Sequence, residues 1–552
     1  MYKKDSHAKS ASRVEPSKLI TAIETNRLIK FVKRHRAWTT VLLLGILPIV
    51  SVFLACAADG YAPWDVSLLN SEWNDELYYY KLVEGILHGG YPYGFFGFNE
   101  SHAAALSFAA WSPLLLLPWV LFGLLFGWHL YSPIVANIFF LSLAMIAYGL
   151  LAKPSKKQLG ILTSLFLLFR PLTRYLLSGM PEITCMSLLI VFYGFYRHAI
   201  KKKDDHSKKH ESRDLVMMFV LSGLLTLMRP YMGLFLLLPC IRWIRQKHLR
   251  GCVASFLILT IILSIYIWMQ KTLTAQYLTP LYDTQWVRIF MEEGIFRGIY
   301  HVFYTFLSQG KMFFAFCVEA FRSGIFTGAY FCAFLATTLI LAVYTISCFR
   351  DKRREEFLFH LYLTASYIAM LLAVFLMYHK MQESSKHLLT FSALGIFVIS
   401  NMKTRFYKKS ALIGVTFAFF FLFRTTAIVE YKIPYIDDTA REKYLAWKNI
   451  FENHMTLDTN QVPSFENVVI WGFDAETDEG KQLFDWRVLY ALPEGFGINC
   501  CEQGYLTSQK ENLQSRYIAV YANSDLDQMY QQIGYLEIGR KGESVVYDRS
   551  VP

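Results

Sequence analysis

The sequence is short of charge. Only 18% of its 552 residues are Asp, Glu, Lys or Arg, whereas soluble domains average about 25%. Apolar residues make up 54% of the chain, and many apolar runs exceed the roughly 18 residues that cross a bilayer as a helix. A string of soluble domains is therefore excluded for most of the chain, and we expect a polytopic membrane protein.

Metal-binding and nucleotide-binding motifs are also missing. The nine cysteines are scattered without a CxxC or Cys/His spacing, which predicts neither a metal site nor a disulfide framework, even at the adjacent Cys500-Cys501. Residues 430–552 contain no GxGxxG or P-loop motif, so we assign them no nucleotide chemistry. The net charge of +12 comes from short basic clusters between apolar runs, a pattern typical of membrane topology, and we expect no nucleic-acid partner.

The distribution of charge predicts the topology. Residues 1–36 hold ten Lys or Arg and three acids, a basic region too long for a cleavable signal peptide. Residues 58–104, after the first apolar run at 37–57, hold seven acids and one base. By the positive-inside rule, we expect the N-terminus to be cytoplasmic and this loop to lie outside, in a multi-pass membrane protein.

The remaining apolar runs predict an all-α membrane domain over 37–429, with about 11–13 transmembrane helices. Residues 103–127 are rich in Pro and Gly, which favours a broken or re-entrant element, although a twelfth full crossing is the alternative. Pro230 divides 215–241 into two helices with a turn at 228–231. Other spans are predicted at 133–152, 158–177, 182–200, 251–270, 326–348, 357–378, 388–402 and 411–428.

Residues 430–552 differ in character from the rest. They hold 11 basic and 20 acidic residues, with short apolar runs and frequent turn residues. An amphipathic helix (AREKYLAWKNIFENH), strands at 468–473 and 517–521, a helix in SDLDQMYQQIG and a hairpin at 537–547 predict a small extracytoplasmic α/β domain. After eleven crossings, this domain lies outside the membrane.

The acidic outer loop contains the main candidate for chemistry, the pair Asp75 and Glu76. Asn74 is expected to cap a helix from residue 75 to about 87, closed by Gly89-Gly90. The structural interpretation is that both acids occupy the first turn while Tyr79, Val83 and Ile86 lie on the membrane. The functional interpretation is that one acid, about 100° from the other, faces a cavity as a general base or a cation ligand.

Further candidates lie at the predicted outer ends of the spans. Glu182, beside Pro181, either lines the site or is a solvated partner of its helix dipole. Lys380, Lys386 and His387 break the positive-inside trend, which indicates an anionic partner such as a phosphate, the alternative being contact with lipid headgroups.

Three arginines and one long loop complete the set. Arg170 and Arg174 lie four apart on one helix face and are rival phosphate ligands. We interpret Arg229 as structural or lipid-contacting. Residues 271–311 are predicted to form an interfacial amphipathic helix that covers the site or lies on lipid.

The order of these segments resembles the GT-C glycosyltransferases. The resemblance covers residues 37–430 and depends on the acidic pair after the first span, LLSGMPEITCMSLLIVFYGFYR, LSGLLTLMRPYMGLFLLLP and the late motif YHKMQESSKHLL. It implies a polytopic enzyme, similar to protein mannosyltransferases and lipid A aminoarabinose transferases, that uses a polyprenyl-phosphate-linked sugar. Asp75 or Glu76 would be the base or metal contact, Glu182 a second acid, and Lys386-His387 the donor-phosphate contact. The late motif departs from the family in having Lys-His where Arg is usual, and the acidic pair follows Asn.

These observations predict a membrane glycosyltransferase that acts by inverting single displacement with a carboxylate base. Its acceptor would be a cell-envelope glycan, a lipid or a protein; no cofactor is assigned, and Mg²⁺ or Mn²⁺ stays open. A transporter or flippase for a lipid-linked precursor is the alternative, although the internal repeats common in transporters are not evident. A third interpretation is an envelope sensor that works through residues 430–552.

Overall fold

The structure, a computed structural model, describes residues 36–90, 94, 96–100, 112–202, 208–273, 285–323, 329–377, 385–402, 432–459, 464–474 and 481–550. The predicted span 411–428 and the candidate Lys380 lie outside the described residues. The predicted fold class is confirmed: an apolar helical part is followed by a small α/β sheet near the C-terminus.

The helical part is built from fourteen helices among the described residues. They are α1 (Arg36–Asp59), α2 (Asp75–Gly89), α3 (Leu117–Phe126), α4 (Ser132–Ala152), α5 (Lys156–Leu168), α6 (Arg170–Leu176), α7 (Glu182–Lys202), α8 (Lys208–Met228), α9 (Gly233–Leu273), α10 (Gln285–Glu292), α11 (Ile295–Ser323), α12 (Ala329–Arg350), α13 (Arg354–Met377) and α14 (Ser385–Ser400).

Six of the described helices are long and apolar enough to cross a bilayer: α1, α4, α7, the second part of α9 (Leu249–Leu273), α12 and α13. The predicted span at 158–177 is instead the pair α5 and α6, bent by 67°, and counting it as one crossing gives seven. The chain is therefore a multi-pass membrane protein. The predicted number of 11–13 transmembrane helices is larger, because it also counted shorter elements such as α14 and the segment 411–428.

The segment around Arg229 breaks as predicted, since α8 ends at Met228 and α9 begins after a single 3₁₀ turn at Pro230–Met232. Helix α9 is not straight. A Cβ on Gly251 would lie 2.7 Å from the Trp243 carbonyl oxygen, whereas residues eight apart in a straight helix are about 12 Å apart. The chain therefore doubles back between residues 243 and 251, within a cluster of four basic residues at 242–250.

Two other predicted segments, the amphipathic 271–311 and the Pro- and Gly-rich 103–127, are described in part. The loop 271–311 contains α10 and the first part of α11, whose exposed face includes Met291, Phe296 and Phe303, so it is amphipathic. Within the segment 103–127, the described part forms one 3₁₀ turn, Pro113–Leu115, and the ten-residue helix α3. A ten-residue helix is about 15 Å long, half the hydrocarbon thickness, so α3 does not cross by itself.

The C-terminal sheet has seven strands within the residues that the structure describes. They are β1 (Phe96–Phe98), β2 (Val468–Asp474), β3 (Lys481–Gln482), β4 (Gly497–Glu502), β5 (Tyr517–Tyr521), β6 (Leu536–Lys541) and β7 (Ser544–Asp548), in the order β1-β4-β2-β5-β7-β6 with β3 beside β2. The pairs β1–β4, β4–β2 and β2–β5 are parallel, and β5–β7 and β7–β6 are antiparallel. The helices of this part are α15 (Asp438–His454), α16 (Gln503–Ser508) and α17 (Asp525–Ile533).

The sheet is buried on both faces, and its strands alternate between two cores. Val469, Trp471 and Cys500 belong to a core continuous with the helical part. Their neighbours Ile470 and Cys501 belong to a second core beneath α16 and α17. Because successive side chains of a strand point to opposite faces, the two adjacent cysteines point apart, and both are free thiols.

Two predictions for the acidic loop are wrong. Asn74 does not cap α2; it has helical φ and ψ, and its side-chain amide donates to the Tyr78 hydroxyl at 3.2 Å. The face formed by Tyr79, Val83 and Ile86 does not lie on the membrane, because all three are buried within the protein. The helix is packed between α3, strand β4 and the turn at residues 486–491, which excludes lipid from that face.

Candidate active site

The site is centred on an ion pair between two distant parts of the chain. Asp75, the first residue of α2, accepts a hydrogen bond from the ammonium group of Lys386 at the start of α14. The two side chains are 28% and 25% exposed. The predicted acid and the predicted phosphate-binding cation therefore meet at one end of the helical part, and both are accessible from outside the protein.

A second ion pair lies directly behind the first. Arg229 donates to Glu182, the first residue of α7, and each side chain is only 1% exposed. Both Lys386 and Asp75 are close enough to act electrostatically on Glu182. Arg229 was predicted to be structural or lipid-contacting, and the structure fits the structural alternative, since this side chain is enclosed by protein. A buried charge is expensive unless it is paired, and Glu182 provides that pairing.

Aromatic and imidazole side chains join the two pairs. Tyr79 follows Asp75 by one helical turn, and its hydroxyl lies within the electrostatic reach of Arg229 and Glu182. The Tyr231 hydroxyl lies 3.4 Å from Nδ1 of the buried His387, and the two rings meet edge to face at 5.4 Å. Four elements therefore contribute to one cluster: α2, the start of α7, the turn after α8 and the start of α14.

Glu76 has a different environment from Asp75. It is completely buried, and its carboxylate oxygens form no hydrogen bond of normal geometry within the described residues. Burial raises the pKa of Glu76 to about 7, although Arg174, the Ser71 hydroxyl and the Gly179 amide favour its charge. The glutamate therefore titrates near neutrality, where a general base would be useful, but its burial keeps it from any substrate that Asp75 could reach.

The pocket around Glu76 is formed by the turn between α6 and α7. A Cβ on Gly179 would lie 2.8 Å from the Glu76 Cβ, so only glycine fits there. The buried Asn137 of α4 donates to the carbonyl oxygens of Tyr175, Ser178 and Met180 at 3.4, 3.1 and 3.2 Å. One amide thus fixes the turn on which Glu76 rests.

The two rival arginines differ in what they can do. The guanidinium of Arg174 is buried, stacks 3.8 Å from the centre of the Trp73 ring and acts electrostatically on Glu76. Arg170 pairs instead with Asp59 at the end of α1. Arg170 is therefore engaged in tethering α6 to α1, and Arg174 belongs to the site.

The charges of the site favour an anionic ligand. The pairs Asp75–Lys386 and Glu182–Arg229 cancel, and Glu76 is partly neutral at pH 7, so Arg174 leaves an excess of positive charge. No group of three or more His, Cys, Asp or Glu side chains close enough to hold a metal ion occurs in the described part of the chain. The accessible Asp75 and the buried Glu182 are each paired with a cationic side chain, Lys386 and Arg229 respectively.

Most of the predicted site residues come together. Asp75, Glu182, Lys386 and His387 share one cluster, with Glu76 and Arg174 adjacent. Sequence reasoning missed Arg229, Tyr79 and Tyr231. A charged residue inside an apolar segment beside proline was the available signal for Arg229, because such charges are functional by default in membranes.

No family model matches the chain, and no curated protein matches it. Solved structures similar to it include the oligosaccharyltransferase of Archaeoglobus fulgidus in the apo form, with 14% identity over 89% of this chain and 70% of that chain (TM-score 0.45). The Archaeoglobus oligosaccharyltransferase AglB in complex with an inhibitory peptide and a dolichol-phosphate has 13% identity over the same shares (TM-score 0.48).

ArnT from Cupriavidus metallidurans in the apo state has 11% identity over 93% of this chain and 98% of that chain (TM-score 0.42). Both the oligosaccharyltransferase and ArnT are GT-C polytopic membrane glycosyltransferases, the family that the sequence motifs resemble. At these identities and scores, the likeness carries no argument about what this chain does.

Proposed function

We propose that this chain is a membrane glycosyltransferase that transfers a sugar from a polyprenyl-phosphate donor to an acceptor. The observation that carries the proposal is the accessible Asp75–Lys386 pair, which joins an acid and a base from segments 311 residues apart in sequence. A site that contains both a negatively and a positively charged side chain suits a reaction in which an acceptor loses a proton while a phosphate leaves.

The donor phosphate would bind to the cationic side of the cluster. Lys386 is partly exposed and is the candidate contact for the phosphate. Arg174 and His387 are buried, so they would add to the positive field of the site rather than bind the phosphate directly. Preorganised cations stabilise the charge that develops on a leaving phosphate without reorganising during the reaction. The lipid of the donor would lie along the apolar helices.

The acceptor would be activated by Asp75. When the donor phosphate takes over Lys386, the Asp75 carboxylate loses its cation and becomes free to accept a proton from the acceptor hydroxyl or amine. The acceptor oxygen or nitrogen then attacks the anomeric carbon, the bond from that carbon to the phosphate oxygen breaks, and the anomeric centre inverts. Glu76, which is buried, holds the turn 177–180 and Arg174 rather than contacting substrate.

We place this site on the extracytoplasmic side of the plasma membrane, with the N-terminus in the cytoplasm. The acidic composition of residues 58–104, against the basic clusters at 153–157 and 350–356, supports this orientation. The sheet of strands β1 to β7 is next to the site, because its strand β4 packs against α2, the helix that begins with Asp75. It is therefore positioned to bind the acceptor, which would be an envelope glycan, a lipid or a protein.

The proposal is tested by transfer of a labelled sugar in proteoliposomes supplied with polyprenyl-phosphate sugars and a membrane-envelope extract as acceptor. Asp75→Asn is expected to reduce the rate at least about 100-fold, because a positioned base contributes about 10²–10⁴. Lys386→Gln should raise the donor KM as well as lower kcat. Glu72→Gln, which removes an exposed acid paired with Lys432 at 3.6 Å in the same loop, is the matched control and should have no effect.

Unchanged transfer in Asp75→Asn, Lys386→Gln and their double variant would refute the assignment of the site. Movement of the lipid-linked sugar across the membrane without a new glycosidic bond would indicate a transporter instead.

A further inference from the structure

A cavity lies at the end of the helical bundle opposite to the Asp75–Lys386 site. It has a volume of about 370 Å³ and is enclosed by the ends of α5, α7, α12, α13 and α14. Arg197 in its wall follows Glu182 by fifteen residues along α7, and Asn401 follows Lys386 by the same number. At 1.5 Å per residue this places the cavity about 20 Å from the Asp75–Lys386 site.

One wall of this cavity is aromatic. The rings of Tyr196 and Phe359 are stacked with centroids 4.0 Å apart and an interplanar angle of 18°. Tyr193 lies nearly parallel to both rings, with centroids 6.3 Å away. Flat rings of this kind provide contact area for an isoprenoid chain or for the apolar face of a sugar.

The polar groups of the cavity leave positive charge uncompensated. Nε of Arg197 is buried and has no hydrogen-bond partner within the described residues. Lys157, at the first turn of α5, is exposed and also lines the cavity. The carboxylate in the lining, Glu356, is paired with Arg353 and accepts from the Tyr344 hydroxyl at 3.4 Å. A buried donor without a partner is costly, which indicates an anion from outside the chain.

We infer that this cavity binds a phosphate group, with the organic part of the ligand against the Tyr193–Tyr196–Phe359 wall. Its volume lies within the roughly 300–1,000 Å³ typical of small-molecule sites. Arg197 would donate through Nε, and Lys157 would provide the second positive charge at the mouth. A lipid phosphate from the adjacent leaflet and a soluble sugar phosphate share this chemistry. The inference is independent of the proposed transfer reaction.

The test uses the full chain in nanodiscs with a photoactivatable polyprenyl phosphate, and the crosslinked residues are mapped by mass spectrometry. Crosslinks are expected at 193–200 and 356–360. Arg197→Gln should reduce their yield at least about tenfold, the loss expected for one charge-assisted hydrogen bond. Crosslinks near Lys386 should be unchanged in this variant. A loss of ligand binding at this cavity is therefore distinguishable from a loss of donor binding at the transfer site.

Arg197→Lys, which keeps the charge, should retain most of the crosslinking if the variant chain is folded. Arg350→Gln removes an exposed base at the same end of the bundle and should have no effect. Competition by millimolar hexose phosphate, with stabilisation of the wild-type but not the Arg197→Gln protein against heating, would identify a soluble phosphate as the ligand. If neither probe binds, or if Arg197→Gln binds both as the wild type does, the inference is overturned.

Discussion

The neighbouring acids Asp75 and Glu76 show how one helical step separates two chemical roles. Successive side chains on a helix point about 100° apart. Asp75 consequently faces Lys386 at the surface of the bundle, and Glu76 faces the turn at Gly179 in the interior. Two adjacent acidic residues thus give one accessible carboxylate, Asp75, and one buried acid, Glu76, whose pKa is raised to about 7.

Glu76→Gln is expected to stabilise the protein at pH 8 but not at pH 5. Burial raises the pKa of Glu76 from 4.5 to about 7, so its stabilising contribution is complete below pH 4.5 and is lost as the pH rises through 7. Above pH 7 the wild type therefore carries a cost of roughly 3 kcal/mol that an uncharged glutamine avoids. Melting temperatures of both proteins across this pH range measure the difference.

Glu72→Gln serves as the control, because that acid is exposed and its replacement should leave the pH profile unchanged. A difference between Glu76→Gln and wild type that does not vary with pH would contradict the buried, titrating glutamate.

At the scale of elements, the turn between α6 and α7 decides how the site is assembled. It follows Arg174, which lies over Trp73 in the last turn of α6, and it supports Glu76. Asn137 holds the turn through three carbonyl oxygens. The Ser178 hydroxyl also donates to the Tyr175 carbonyl at 2.7 Å, so side chains rather than a regular helix or strand satisfy the buried carbonyl groups of this turn.

Gly179→Ala is expected to destabilise the protein by about 1–3 kcal/mol, the usual cost of overpacking, and to reduce transfer. The new methyl group would lie 2.8 Å from the Cβ and 3.3 Å from the Cα of Glu76, so the backbone of α2 must move, and Asp75 moves with it. Thermal unfolding and the transfer rate of the purified variant measure both effects.

Gly160→Ala is the matched change, because a Cβ at that exposed position of α5 meets nothing within 4 Å. It should be neutral or slightly stabilising, since alanine has the higher helix propensity. Equal behaviour of the two variants would show that the contact between Gly179 and Glu76 is not tight.

At the scale of the molecule, the outer loop and the C-terminal sheet form one structure. Strand β1 of the loop pairs with β4, and Glu100 accepts hydrogen bonds from the Gln514 and Ser515 amides at 3.0 and 2.6 Å. Asn99 and Glu100 both have positive φ, a conformation that non-glycine residues adopt only when held. The sheet therefore positions α2, and through it Asp75, above the membrane part.

Glu100→Gln is expected to reduce stability by roughly 1–3 kcal/mol and to lower transfer without abolishing it. The Glu100 carboxylate accepts hydrogen bonds from the backbone N–H groups of Gln514 and Ser515. The NH₂ group of a glutamine would face one of these donors, and a buried donor would then be left unpaired. Hydrogen exchange at β1 and at residues 514–515 should increase in the variant. Glu543→Gln, an exposed acid in the turn between β6 and β7, should leave that exchange at the wild-type rate.

The sequence anticipated the elements more fully than their contacts. Helix α2, the break at Pro230, strands β2 and β5, helix α17 and the final hairpin were all predicted, since period and turn residues are local signals. Strands β1, β3 and β4 were not. Strands β1 and β3 have three and two residues, too few to show an alternation. Strand β4 is buried at five successive positions between parallel neighbours, so no alternation is visible in its sequence.

Composition and charge order alone determined that this chain crosses a membrane several times and carries an acidic pair after its first span. Those properties depend on local hydrophobicity and on charges within one segment. Only the tertiary structure decided that Lys386 meets Asp75, that Glu182 holds Arg229, and that Glu76 is buried. Each of these outcomes is a contact between segments far apart in sequence, and the free energy of such a contact is set by burial and geometry that no single segment contains.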